Sequence, residues 1–192
     1  MLKRLENVHE RERKRRRNQM IMGTILVAVM IVSTAGYAII DRAKEQAVSY
    51  KGNKFLRTER GWQLHNSALV TRFLPGEVDF IPCNCASSAS ELADKQIYID
   101  AYSTDEKIAA DELLRNIQFL RVQQACLVGE ENKTGCEELP LKSCDEDNII
   151  IVRSTENITE VREEGRCIFI EAAPENLTMA ADRFIFFLYK LI

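Results

Sequence analysis

Cys83-Asn84-Cys85 is the closest pair of potentially reactive side chains in the chain. A C-x-C pair can exchange between dithiol and disulfide, or supply half of a thiolate site for zinc or an iron–sulfur cluster. A metal would require a second such pair or nearby histidines. His65 is the lone histidine beyond the first nine residues. We therefore expect no metal and no cofactor, and keep Cys83 and Cys85 as redox candidates beside the competing reading of a structural disulfide. Cys126 and Cys136 bracket the polar loop LVGEENKTG and suit a local staple, while Cys144 with Cys167 would tie two strands together. Six cysteines admit many connectivities, and spacing alone does not select one.

Other chemistry is sparse. Asp100 with Asp105, and Asp111 with Glu112, are carboxylate pairs of the kind used in acid–base work, but nothing in their spacing separates them from solvated helix and loop residues. A single histidine in this region makes a Ser-His-Asp or Cys-His apparatus hard to assemble. Phosphate-cradling glycine loops, the G-x-S-x-G elbow, H-E-x-x-H and internal repeats are all missing from the sequence. These absences argue against an enzyme. The acidic stretch Gly129–Asn148 crowds hard oxygen ligands together, yet its DEDN run lacks the spacing and glycine of an EF-hand, so a solvated acidic surface is the favoured reading over calcium. Asn132, Asn157 and Asn176 each begin an N-x-T sequon and are candidate glycosylation acceptors.

Placement of these groups depends on a sharp partition of charge. Residues 1–19 carry eight cationic against three anionic side chains, a surplus of +5; with −3 for the whole chain, the rest holds −8. Asn18–Ile40 contains no charged residue, and Met20–Ile40 at ~1.5 Å per residue matches a bilayer's hydrocarbon thickness of about 30 Å. The basic flank predicts a cytoplasmic N-terminus and an external C-terminal portion. It assigns Arg11–Arg17 to topology and to anionic lipid headgroups rather than to nucleic acid. All six cysteines fall on the external side, in keeping with an oxidising compartment. A cleavable signal peptide would have a shorter apolar core, and a pilin-type leader would place a basic residue and glycine directly before the apolar run, where Asn18-Gln19 stand instead.

The expected organisation is thus a basic tail at 1–19, a transmembrane helix at 20–40, a juxtamembrane helical linker at 41–53 and an extracytoplasmic domain at 54–192. Short runs at 54–58, 62–65 and 68–73, broken by turn residues, predict an antiparallel meander. The alternating IYIDAY segment (97–102), a helix over 104–118 with apolar residues at helical spacing, and a strand near 119–128 predict a β-α-β unit. Further strands are expected at 148–154, 158–162 and 166–171, the last two as a hairpin through Glu163-Glu164-Gly165. Pro174 is expected to open the closing helix. The fold class is therefore α+β: a βαβ-containing mixed sheet with an N-terminal meander and a C-terminal helix, preceded by one transmembrane helix.

That closing helix is more apolar than a surface helix needs, because Ile185, Tyr189 and Ile192 form a second stripe which Phe186 widens. Two readings follow: central burial, or a partner interface through Ile185, Phe186, Tyr189 and Ile192. The segments FLPGEVDFI (73–81) and GRCIFIE…AADRFIFFLYKLI (165–192) resemble uncharacterised single-pass membrane proteins of small-genome archaea, which share a P-x-E-V element and a closing strand–helix. The resemblance implies an archaeal surface protein with an external α/β domain, and brings no catalytic residues. The sequence thus predicts a non-enzymatic, disulfide-stabilised, membrane-anchored binding or scaffolding protein of the cell envelope, whose partners are the bilayer and an envelope protein or a second copy. Its alternatives are a thiol–disulfide protein using Cys83 and Cys85, and a pilin-like assembly subunit.

Overall fold

In the computed structural model of the chain, the described residues are 8–44 and 46–192 for the backbone, and 13–32 and 46–192 for the side chains. The chain divides into two compact units, Met1–Gln46 and Ala47–Ile192. The first contains α1 (Val8–Lys44). Among the described residues no helix is long and apolar enough to cross a membrane. The expected span at 20–40 continues past residue 32 into positions whose side chains lie outside the described set, as does the start of the basic tail.

The helical linker expected at 41–53 is not what the structure places there. The helix ends at Lys44, and β1 (Ala47–Tyr50) pairs antiparallel with β2 (Asn53–Thr58), Tyr50 facing Asn53 and Ala47 facing Leu56. The reason is local: Lys51 and Gly52 both adopt positive φ, 45° and 84°, which makes a two-residue turn whose twist suits a hairpin. Lys51-Gly52 therefore reverses the chain between two strands where a helical linker is expected. The meander continues through β3 (Gly61–Leu64) and β4 (Val70–Thr71), in the spatial order β1-β2-β3-β4. Gly61 sits at φ 142°, where an added Cβ would lie 2.2 Å from the Thr71 carbonyl oxygen, so only glycine lets β3 and β4 approach this closely.

After the meander come α2 (Pro75–Val78), β5 (Cys83–Asn84), α3 (Ala89–Ala93), β6 (Gln96–Asp100), α4 (Thr104–Asn116) and β7 (Arg121–Gln124). A small parallel pair follows, β8 (Cys126–Leu127) with β9 (Leu141–Lys142). The chain closes with β10 (Ile149–Ser154), β11 (Glu160–Glu164), β12 (Cys167–Ala172), a 3-10 turn at Pro174–Asn176 and α5 (Leu177–Leu188). The main sheet is mixed and runs β5-β11-β12-β10-β6-β7. β6, α4 and β7 form the β-α-β unit with its strands parallel, while β11 and β12 form the hairpin. The fold is accordingly mixed α+β: an antiparallel sheet, a mixed sheet and a closing helix.

β10 explains the sheet's interior. Its first four residues, Ile149–Val152, are all buried, because the two faces of this central parallel strand are covered separately. Ile150 and Val152 join the main core with Ile97, Leu113, Ile170, Phe184 and Ile185, whereas Ile149 and Ile151 pack with Cys167 under Tyr98, Leu127 and Phe169 on the opposite side. The meander contributes Phe55, fully buried and edge-on to Phe186 with ring centroids 6.1 Å apart.

Candidate functional site

Chain direction locates the place where a site is expected. From β6 the path goes outward to β7, and from β10 it goes the other way to β12, so strand order reverses between the neighbouring parallel strands β6 and β10. The carboxyl ends of strands at such a switch point form the usual ligand crevice of open α/β sheets. Asp100 ends β6, and Arg153 stands one residue before the end of β10.

These two residues meet. Arg153 Nη2 donates to Asp100 Oδ2 at 2.7 Å and also to Glu130 Oε2, while its Nη1 donates to the Asp100 and Val152 carbonyl oxygens, each at 3.1 Å. Asp100 Oδ2 accepts a further bond from the Leu127 N–H at 3.1 Å. Burial works against the charge on Arg153, but Asp100 and Glu130 outweigh it and keep the guanidinium protonated more firmly than usual. Asp100 is wholly buried, and its Oδ1 has no hydrogen-bond partner among the described residues. The cluster thereby clamps the loop carrying Leu127 and Glu130 to the strand ends.

Glu106 sits beside it for a different reason. Ser103 caps α4, its hydroxyl accepting from the Glu106 N–H, while Glu106 reaches back to accept from the N–H groups of Ser103 and Tyr102 at 2.9 and 2.8 Å. Its other oxygen accepts from the Ser154 N–H at 3.0 Å. Burial would raise its pKa, but these three backbone bonds hold the carboxylate below its ordinary range. Tyr102 projects its hydroxyl onto the Ala125 carbonyl, 3.1 Å away, and onto Cys126 Sγ at 2.8 Å. Burial, aided by Asp100, pushes the phenol upward, so it stays neutral. Arg153, Glu106 and Tyr102 thus form a hydrogen-bonded group that ties the ends of β6 and β10 to the start of α4 and to the loop after β7.

A second buried carboxyl lies between α4 and α5. Asp182 is fully buried and accepts from the Phe73 N–H at 2.9 Å, with Oδ1 lacking a partner among the described residues. Burial first, and the nearby Glu112 second, push its pKa well above the usual carboxylate range. Glu112 is itself raised by burial, opposed by its ion pair with Arg115 and by Arg72.

The residues singled out in the sequence are distributed rather than gathered. Cys83 is bonded to Cys85 on the edge strand β5, Cys126 to Cys136, and Cys144 to Cys167, and no free cysteine remains. Asn132 and Asn157 are exposed in turns, and Asn176 is half-buried in the 3-10 turn before α5. Asp105 and Asp111 are exposed whereas Asp100 and Glu112 are buried, so neither proposed carboxylate pair shares an environment. Among the described residues no group of three histidine, cysteine or carboxylate side chains converges to hold a metal ion. Ile185 and Phe186, entertained as partner surface, have no exposed area and belong to the core, because the meander, α2, α4 and the sheet enclose α5. Tyr189 is 40% exposed, with its hydroxyl donating to the Asn116 carbonyl at 2.7 Å, and Ile192 is half-buried.

Sequence reasoning missed Arg153, Glu130 and Tyr102. Their signal was a polar residue at the carboxyl end of each of two apolar strands, Asp100 after IYI and Arg153 after IIIV. Comparison with known protein families, characterised proteins and solved structures finds no match to this chain.

Proposed function

We propose that the chain is a non-enzymatic, membrane-anchored binding or scaffolding protein of the cell envelope, with its N-terminus cytoplasmic and Ala47–Ile192 outside. One observation carries the reading. Met20, Ile21, Met22, Ile25, Leu26, Val27, Val29 and Val32 are each between 51% and 71% exposed on α1. At 100° per residue they point in all directions around the axis, not along one stripe, which is the pattern of a helix whose surroundings are apolar. Arg13, Arg15, Arg16 and Arg17 are exposed just before them, where cytoplasmic retention and anionic headgroups would hold them.

Three disulfides within the second unit support an oxidising location for it, and the exposure of Asn132 and Asn157 supports reading their sequons as glycosylation acceptors. The test is extraction of expressing membranes with alkaline carbonate, followed by protease treatment of sealed vesicles of known sidedness. The chain should stay with the lipid, and the disulfide-bearing unit should be digested only from the external face. Release into the alkaline supernatant, or digestion from the cytoplasmic face, would overturn the proposal.

A second reading follows from the Cys83–Cys85 bond. It encloses only three residues, so it removes little loop entropy from the unfolded chain, and stability alone gives it a weak reason to exist. A thiol–disulfide exchange role predicts that mild dithiol reductant opens this bond before the buried Cys126–Cys136 pair, as counted by alkylation and mass spectrometry. Simultaneous resistance of all three bonds would remove that role.

A further inference from the structure

β7 stands at one end of the main sheet, paired to β6 on one side and, among the described residues, to no strand on the other. All four of its residues are exposed. Natural edge strands are usually blunted by proline, charged side chains, a bulge or extreme shortness. The opposite edge, β5, has two residues; β7 has four, reads Arg-Val-Gln-Gln, and beyond the single charge of Arg121 at its first position carries none of those defences. It is also flanked by apolar surface. Leu120 and Val122 are 73% and 39% exposed, and with Leu114, Phe119 and Tyr189 they line an open groove of about 1070 Å³.

The two ends of this edge differ in charge. Exposed Arg121 stands at its amino end as the cation open to a partner, since Arg115 in the adjoining groove is paired with Glu112. At its carboxyl end Gln124 opens onto a groove of about 590 Å³ where Glu137 and Glu138 face Lys107, an anionic surplus. A twofold axis through the middle of β7 would pair the strand antiparallel with its own copy and set each cationic end against the other chain's anionic end. Parallel pairing would oppose like charges.

We propose that the chain forms a twofold dimer through antiparallel pairing of β7 with β7 of a second copy, joining two main sheets into one and covering Leu120 and Val122. The contact lies wholly within Ala47–Ile192 and stands independently of the membrane reading. The experiment is size-exclusion chromatography with light scattering on the full chain in mild detergent across micromolar concentrations. The protein mass should be twice the monomer's 22.0 kDa. Val122→Lys, which places a gatekeeper charge on the edge, should give the single-copy mass with unchanged circular dichroism and melting temperature. Arg121→Glu, at an exposed position, should weaken association at least about tenfold. Adding Glu137→Arg and Glu138→Arg to Arg121→Glu should restore it. A wild-type monomer at every concentration overturns the proposal, since the edge would then await a foreign strand; so does a dimer that persists undiminished in Val122→Lys, or a charge reversal that fails to rescue.

Discussion

The side-chain amide of Asn116 pairs with both backbone groups of Val70, its Nδ2 donating to the Val70 carbonyl at 2.8 Å and its Oδ1 accepting from the Val70 N–H at 2.9 Å. The end of α4 thereby acts as an extra strand for the edge of the meander, across 46 residues of sequence. Asn116 also donates to the Glu112 carbonyl, and its own carbonyl receives the Tyr189 hydroxyl. Asn116→Ala leaves half-buried backbone groups of β4 unmatched and is expected to cost about 2–3 kcal/mol. Chemical denaturation measures this directly; a loss under about 0.5 kcal/mol would show that water replaces the amide without penalty.

Arg153 and Asp100 predict an asymmetric pair of variants. Arg153→Met strands a wholly buried carboxylate and is expected to lower stability by about 3–5 kcal/mol. Arg153→Met with Asp100→Asn removes the charge as well as its partner, and should recover more than half of that loss. A double variant as unstable as the single would show that packing, not charge, sets the cost.

Asp182 gives a pH dependence of opposite sign to that of Glu106. Its pKa is raised on folding, so its contribution is most favourable at low pH and worsens as pH rises from the unfolded carboxylate range through the folded value. Glu106 is lowered on folding, so its stabilisation is present above the unfolded carboxylate range and is lost as pH falls through its folded value. Asp182→Asn keeps an acceptor for the Phe73 N–H and removes the ionisable group. The variant should therefore gain roughly 1–3 kcal/mol over the wild type at pH 8, with the advantage shrinking towards zero at pH 4. Thermal melts at both pH values decide it; equal effects at the two would contradict the assignment of burial as the cause.

Gly61→Ala is expected to be the most damaging single-methyl addition in the meander. The new Cβ would meet a backbone carbonyl, which cannot rotate away, and alanine is strained at a φ of 142°. A loss of at least about 2 kcal/mol should follow, against a smaller loss of about 1 kcal/mol for Gly129→Ser, where open space surrounds the position and only the positive φ of 95° strains the new side chain.

Alternation and turn chemistry in the sequence were sufficient to place the β-α-β unit, the β11–β12 hairpin and the strands β2 to β4, because each is stabilised by neighbours close in sequence. β1 was misread as helix because the residues before it, DRAKEQ, favour a helix, while the signal for a strand lay in the positive φ of Lys51, a conformation that lysine does not advertise. α5 showed too much apolar surface for one stripe, and only the tertiary arrangement, with Phe55 arriving from the meander, shows where the second stripe goes. Asp100 was visible as a carboxylate but not as a buried one, since its neutralising partner Arg153 lies 53 residues downstream in a strand that pairs with its own.

The three disulfides join each cysteine to the next one along the chain, with separations of 2, 10 and 23 residues. During synthesis, every cysteine that emerges second therefore finds its proper mate as the nearest unpaired thiol already present. Oxidation in order of emergence leads straight to the final set of bonds, so this polypeptide should need an oxidant to mature but little help from an isomerase.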